Sequence, residues 1–159
     1  MNDTVRLLVV DDDADDNRLT LAALEAAGIG TQIRVLSDGA EALDYLCRRG
    51  AFADIPSGQP ALVLLDLKMP KVDGFEVLEA VKRDPAMHNI PIVVLTTSNH
   101  ESDIERAYSL GANGYMVKPM AFDDYVTALG ALGRYWLQIN VSPAVCSAPK
   151  RSALSATGV

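Results

Sequence analysis

Residues 61–70 read Ala61-Leu62-Val63-Leu64-Leu65-Asp66-Leu67-Lys68-Met69-Pro70, an apolar run that ends in a single carboxylate with a proline soon after. A short apolar run bounded by turn residues fits a strand covered on both faces, and Met69-Pro70-Lys71-Val72-Asp73-Gly74 cannot continue it. Asp66 is therefore expected at the carboxyl end of a buried strand. In open α/β sheets that edge is where ligands bind. Taken alone, an Asp in such a place serves equally well as a helix cap or a strand end, so the neighbouring segments have to decide.

Working outward, Val5 to Val10 reads as a strand that runs into the acidic cluster Asp11-Asp12-Asp13-Ala14-Asp15-Asp16. A helix follows, with Leu19, Ala22, Ala23, Ala26 and Ala27 at helical spacing and Gly28 as its stop. Asp13, Asp15 and Asp16 suit the capping of that helix and its dipole, a contribution of roughly 0.5–2 kcal/mol. Asp11 and Asp12 precede the helix and stand at the strand's end. Thr31 to Leu36 alternates like a second strand, and Asp38-Gly39 turns into a helix to Arg49, ended by Gly50. The segment from Ala51 to Pro60 is expected to be a long surface loop and a candidate contact surface.

Beyond Asp66, Asp73 to Lys82 makes a capped helix with Phe75, Leu78 and Val81 on successive turns. Ile90-Pro91-Ile92-Val93-Val94-Leu95 is a further strand buried on both faces, and Thr96-Thr97-Ser98 follows it. A helix through Ile104, Ala107 and Tyr108 ends before Gly111, and Gly114 to Val117 forms a last strand before Lys118-Pro119. The final helix, from Phe122 to Trp136 or beyond, carries Phe122, Val126, Leu129, Gly133 and Trp136 on one stripe. Strands alternating with helices give an α/β, doubly wound parallel sheet, and the handedness of crossovers favours the flavodoxin-like five-stranded order 2-1-3-4-5 with five helices.

Composition narrows the function classes. A chain of 159 residues suits one domain, spanning residues 1–140, with a Ser-, Ala- and Pro-rich disordered tail over residues 141–159. The formal charge of −7 argues against phosphate-backbone binding, so no direct nucleic-acid partner is expected. No signal peptide or apolar run of membrane-spanning length is evident, and the separated Cys47 and Cys146 match no zinc or disulfide pattern. A cytoplasmic protein without a membrane partner is expected.

In this topology Asp11-Asp12, Asp66, Thr96 and Lys118 end four strands at one edge of one sheet. Carboxylates so close repel one another unless a proton, a cation or a lysine joins them. A hard divalent ion meets that need, and Mg²⁺ is commonly held by one or two carboxylates plus phosphate oxygens. With Mg²⁺ and Lys118 in place, Asp66 can attack a phosphoryl group in line and become an acyl phosphate. A haloacid-dehalogenase-type phosphatase would need an Asp two residues after Asp66, where Lys68 stands. A flavodoxin would need a hydroxyl- and glycine-rich loop after the first strand, and a dinucleotide fold a glycine-rich turn there; this chain has Asp11-Asp12-Asp13.

These residues together resemble the receiver domain of two-component response regulators, over about residues 5 to 140. The resemblance rests on Asp11-Asp12, on Leu65-Asp66 with Met69-Pro70-Lys71-Val72-Asp73-Gly74, on Thr96, on Gly111-Ala112-Asn113-Gly114-Tyr115, and on Lys118-Pro119. It implies that Asp66 accepts phosphate from a sensor histidine kinase. It implies Mg²⁺ held by Asp12 and Asp66, by the Lys68 carbonyl, and by Asp11 through water. It also implies a Thr96 and Tyr115 switch pair, a cis Lys118–Pro119 bond, and an influence of Lys68 and Ser98 on dephosphorylation. A pseudo-receiver, keeping the fold as a scaffold only, is the alternative within the family. The Gly50 to Pro60 loop, Val94-Leu95-Thr96-Thr97-Ser98 and Tyr135-Trp136-Leu137 are further similar to the stand-alone regulators paired with bacterial and cyanobacterial phytochromes, which makes a bacteriophytochrome the implied kinase.

The last helix has more apolar side chains at its end than one core can take. Tyr135, Trp136 and Leu137 point about 100° apart around it, and Ile139 adds a fourth. Clustered aromatics at a rim usually mark a protein contact. A symmetric homodimer through the last helix, the strand containing Tyr115 and the helix near Tyr108 is therefore expected.

Overall fold

The computed structural model describes residues 4–56 and 58–143. Five parallel strands lie in the order β2-β1-β3-β4-β5, as the alternation of strands and helices predicts. In chain order they are β1 (Leu7–Val10), α1 (Ala14–Ala26), β2 (Ile33–Leu36), α2 (Gly39–Cys47), β3 (Leu62–Leu65), α3 (Gly74–Arg83), β4 (Ile92–Thr96), α4 (Glu101–Ser109), β5 (Gly114–Val117) and α5 (Phe122–Gly133). A short 3-10 turn at Gly50–Phe52 precedes β3, and α5 runs into a π-helical turn at Arg134–Ile139. Most of the tail assigned to residues 141–159 lies outside the described residues.

β1, β3 and β4 are buried along their whole length, which is why they read as unbroken apolar runs. Alternate residues divide between two cores. Leu8, Val10, Val63, Leu65, Ile92 and Val94 pack with Leu46, Phe75, Leu78 and Val81 on the α2, α3 and α4 side. Leu7, Val9, Leu62, Leu64, Val93 and Leu95 pack with Ala23, Leu24, Tyr125 and Leu129 on the α1 and α5 side. Each fully buried leucine contributes about 2 kcal/mol of transfer free energy, so the sheet edge that carries the site rests on a rigid base.

Two features of sequence have their explanation in close approach to backbone. A Cβ on Gly74 would lie 2.1 Å from the Asp66 carbonyl oxygen, and one on Gly39 would lie 2.2 Å from that of Val72, so both helices begin hard against the loop after β3. Asn113 accepts through Oδ1 from the Ile92 N–H and from Lys82 Nζ, both at 2.9 Å, which anchors the turn into β5.

Several local expectations are corrected. β2 begins at Ile33 rather than Thr31, and α2 stops at Cys47 because Arg48 takes the left-handed capping conformation, φ 54°. The Gly50 to Pro60 segment is pinned to its surroundings: Phe52 meets Tyr45 edge-on, and Arg48 Nη2 donates to the Gly58 carbonyl at 2.6 Å. In α1 the buried face is Asn17, Thr20, Ala23 and Leu24, whereas Leu19 is 50% exposed. Periodicity of apolar type misses this, because Asn17 and Thr20 are buried to make hydrogen bonds. In α5 the inward residues are Tyr125, Leu129, Gly130 and Gly133, with Leu137 beyond them, while Phe122 is largely exposed. Tyr125 turns inward to share a 2.6 Å hydrogen bond with Thr20. The π turn changes the helix phase after Gly133, so Leu137 takes the core place that the stripe assigned to Trp136, which is only partly buried.

Candidate functional site

The register of the ladder decides where the carboxylates stand. Val10 pairs with Leu65, so the next residues, Asp11 and Asp66, leave the sheet side by side. The Asp66 N–H donates to the Val10 carbonyl at 2.9 Å, and the Asp11 N–H to the Leu36 carbonyl at 3.1 Å. Oxygens of Asp11, Asp12 and Asp66 all lie within 4.8 Å of one another. Asp11 and Asp66 are 4% and 9% exposed, while Asp12 faces solvent. Burial first, then the charge of Asp11, holds the Asp66 carboxyl above its ordinary 3.8; Lys118, the Thr96 hydroxyl and the Leu67 N–H pull the other way without cancelling it.

Lys118 arrives from the neighbouring pair of strands. Thr96 pairs with Val117, and the Lys118 N–H donates to the Thr96 carbonyl at 2.8 Å. Its ammonium donates to Asp11 Oδ2 at 2.6 Å and to Asp16 Oδ2 at 2.9 Å, with the side chain only 8% exposed. Burial works against the charge, but the hydrogen bonds from Asp11 and Asp16, with the charges of Asp11 and Asp66, override it and raise the pKa on balance. The expected cis Lys118–Pro119 bond is not found, since no cis peptide occurs among the described residues. The lysine tip is held by its two carboxylate partners.

Around β4 the hydroxyls form a connected chain. Thr96, 1% exposed, accepts from the Ser98 N–H at 3.4 Å, and its hydroxyl favours the ionised form of Asp66. Ser98 Oγ donates to Asp103 Oδ2 at 2.6 Å, and the Tyr115 hydroxyl donates to the Ser98 carbonyl at 3.0 Å. Lys68 is exposed and lines, with Asp12, Asp73, Asp103 and Arg106, an open cleft of ≈ 460 Å³ beside the carboxylates. Asp11, Asp12, Asp66, Thr96 and Lys118 thus come together as their strand-end positions predict, with Ser98 one hydrogen-bond step behind and Tyr115 two.

Sequence reasoning missed two residues. Asp103 sits in the first turn of α4 and holds the Ser98 hydroxyl. Asp16 was assigned to helix capping, but Asp13 is the N-cap, accepting from the Asp15 and Asp16 N–H groups. The Asp16 side chain instead reaches a lysine 102 positions away, a partnership no local spacing signals.

A cluster of three carboxylates, two of them buried, whose neighbouring ammonium is bound to Asp11 and to a fourth carboxylate, Asp16, is short of positive charge. Oxygen donors in that arrangement fit a hard divalent cation. A carboxylate beside such charge can attack phosphorus and be stabilised as an acyl phosphate.

Comparison with known proteins bears on this chemistry. The family described as response regulator receiver domain matches residues 7–130. The chain is 42% identical over 138 residues to the probable methanogenesis regulatory protein FilR2 of Methanothrix harundinacea, covering 86% of each protein. It is 36% identical to response regulator Rcp1 of Synechocystis sp., covering 87% of this chain and 92% of that one. The crystal structure of the Mn(2+)-bound form of Rcp1 superposes with a TM-score of 0.78 over 87% of this chain and 98% of that one. The bacteriophytochrome response regulator RtBRR is 41% identical and gives a TM-score of 0.72 over 98% of this chain and 96% of that one.

Proposed function

The chain belongs to the response regulator receiver family, and from that premise we propose that it accepts a phosphoryl group from a sensor histidine kinase on Asp66, in a Mg²⁺-dependent reaction, and signals through protein contacts. The observation that carries this reading is the meeting of Asp66 with Asp11, Asp12 and Lys118 at one sheet edge. A carboxylate oxygen of Asp66 attacks the phosphorus, the bond from phosphorus to the donor breaks, and the donor group leaves with that electron pair. Lys118 stabilises charge on the transferred phosphoryl oxygens. Asp11, Asp12 and Asp66, with the Lys68 carbonyl, would hold the cation, which supplies the positive charge that lets these carboxylates approach a phosphate. The test is acyl phosphate formation from a small phosphodonor, with and without Mg²⁺; a wild type that gains none under either condition leaves only the scaffold role of a pseudo-receiver.

Thr96 and Tyr115 form the switch: the Thr96 hydroxyl moves to the phosphoryl oxygen and Tyr115 turns into the space it leaves. Lys68 and Ser98, two residues beyond Asp66 and Thr96, adjust the path of the attacking water. Lys68→Ala and Ser98→Ala are expected to change dephosphorylation several-fold while phosphorylation changes by less than about twofold. Single-turnover rates for the two steps decide this, and equal effects on both would contradict it. The likeness to the bacteriophytochrome response regulator RtBRR supports a bacteriophytochrome as the kinase partner. The domain spans residues 1–140. Among the described residues no helix is long and apolar enough to cross a membrane, in keeping with action in the cytoplasm.

The outgoing surface is a homodimer through α5, β5 and α4. β5 is an edge strand, and Tyr108 of α4, Val117 of β5, and Tyr135 and Ile139 of the π-helical turn that continues α5 are all exposed. Trp136 packs partly on the core, so the sharper probe is Ile139→Asp. Light scattering at micromolar concentration should report a dimer for the wild type and a monomer for Ile139→Asp, at a stability change within about 0.5 kcal/mol. A wild type that stays monomeric before and after phosphorylation eliminates the dimer.

A further inference from the structure

Asp16 lies outside the carboxylate cluster, which comprises Asp11, Asp12 and Asp66, yet it holds the same ammonium as Asp11. Its contact with Lys118 is no loose surface pairing, because α1 is anchored over the turn that follows it. Asn17 Nδ2 donates to the Asp11 carbonyl at 2.8 Å, and one turn later Thr20 is joined to Tyr125 of α5 at 2.6 Å. The lysine side chain is 8% exposed and that of Asp16 36%, so the pair is only partly open to water.

The two partners of Lys118 are not equivalent. A divalent cation entering the cluster draws on Asp11 and at the same time repels the ammonium. Asp11 cannot compensate both fully. Asp16, outside the cluster, keeps its negative charge for the lysine alone.

We propose that Asp16 is a positioning residue that retains the Lys118 ammonium at the site when a divalent cation occupies the carboxylates, and so relieves the competition between the two positive charges. This rests on the cation site and phosphoryl-transfer reading above. Without Asp16 the lysine has, among the described residues, Asp11 as its remaining carboxylate partner and resists the cation more strongly. The effect must therefore run through Lys118.

A double-mutant cycle on cation binding, read from amide chemical shifts during titration with Mg²⁺ and with Mn²⁺, tests it. Asp16→Asn should weaken binding about five- to tenfold in the wild-type background and less than about twofold in Lys118→Met, the coupling found for charges in direct contact. Asp15→Asn removes the same charge from the same helical turn, where it faces Arg18 and not the lysine, and should weaken binding less than about twofold. If Asp16→Asn has the same effect with and without the lysine, or matches Asp15→Asn, the residue acts only as distant charge and the proposal falls. Should Lys118→Met fail to fold, the comparison of Asp16→Asn with Asp15→Asn decides alone. A wild type that binds neither ion removes the cation reading and this inference together, whereas a wild type that binds with Asp16→Asn unchanged removes only the inference.

Discussion

Asp66→Asn is expected to lose phosphoryl acceptance completely and, in the same protein, to gain stability. Loss of the reaction follows because the amide offers no nucleophilic oxygen anion, and because Asp11 and Asp12 stand behind Asp66 as neighbours rather than substitutes. Asp13→Ala, which removes only the α1 N-cap, should keep most of the reaction while costing about 1 kcal/mol of stability. The gain in stability follows from the raised carboxyl pKa. A carboxyl with a folded pKa above its ordinary 3.8 binds more protons folded than unfolded, so its contribution is present at low pH and is lost as pH rises through the folded value. At neutral pH, with chelator present, the ionised Asp66 therefore opposes folding, and Asn relieves that by on the order of 1 kcal/mol. Urea unfolding of both proteins at pH 7, beside a phosphodonor assay, checks the two halves. Labelling of Asp66→Asn at wild-type level would remove Asp66 as the acceptor, and a loss of stability would mean that Lys118 outweighs the repulsion.

Lys118→Ala works in the opposite sense on stability. The ammonium is the shared partner of Asp11 and Asp16 and lies within the field of Asp66, so its loss leaves buried carboxylate charge uncompensated. Breaking a buried pair by removing one member costs on the order of 3 kcal/mol. Because the lysine's folded pKa is raised above the ordinary 10.5, this contribution is fully present at neutral pH and is lost only as pH rises through that folded value. The difference between wild type and variant should therefore persist across the neutral range. Millimolar Mg²⁺ should recover more stability in Lys118→Ala than in the wild type, since the cation takes over part of the compensation. The variant is expected still to gain phosphate on Asp66 but not to switch, since in the proposed reaction the ammonium both stabilises and reads the transferred group. A phosphorylation-dependent change in the Tyr115 environment equal to that of the wild type, by NMR, would contradict this role.

These two substitutions separate what stabilises the fold from what the site needs. Asp66 is expected to oppose folding while supplying the nucleophile of the proposed reaction, and Lys118 to offset part of that opposition. Function here depends on keeping carboxylates close together at a sheet edge whose apolar base, from Leu7 to Val10 and Leu62 to Leu65, tolerates the repulsion.

Much of this was legible in the chain itself. Fully buried parallel strands have to be apolar on both faces, so Leu7 to Val10, Leu62 to Leu65 and Ile92 to Leu95 announce themselves, and the end of each run is marked by the first polar residue: Asp11, Asp66 and Thr96. Parallel order and crossover handedness then bring those ends to one edge without further information. Helix faces were less legible. Asn17, Thr20 and Tyr125 are buried because they satisfy one another or the backbone, and a reading that sorts residues by polarity puts them outside. The π turn after Gly133, which seats Leu137 in the core, has no periodic signature either.

The sheet, its order and the set of strand-end side chains follow from local patterning and topology, and so are written in the residues alone. How the charges are shared is settled by the packed fold. It gave Lys118 to Asp11 and Asp16 together, tied Ser98 to Asp103, and left the Lys118–Pro119 bond trans. The two pairings of Lys118 join residues about a hundred positions apart, brought together by the strand order and by the seating of α1, and Ser98 meets Asp103 because α4 begins directly after the loop that follows β4.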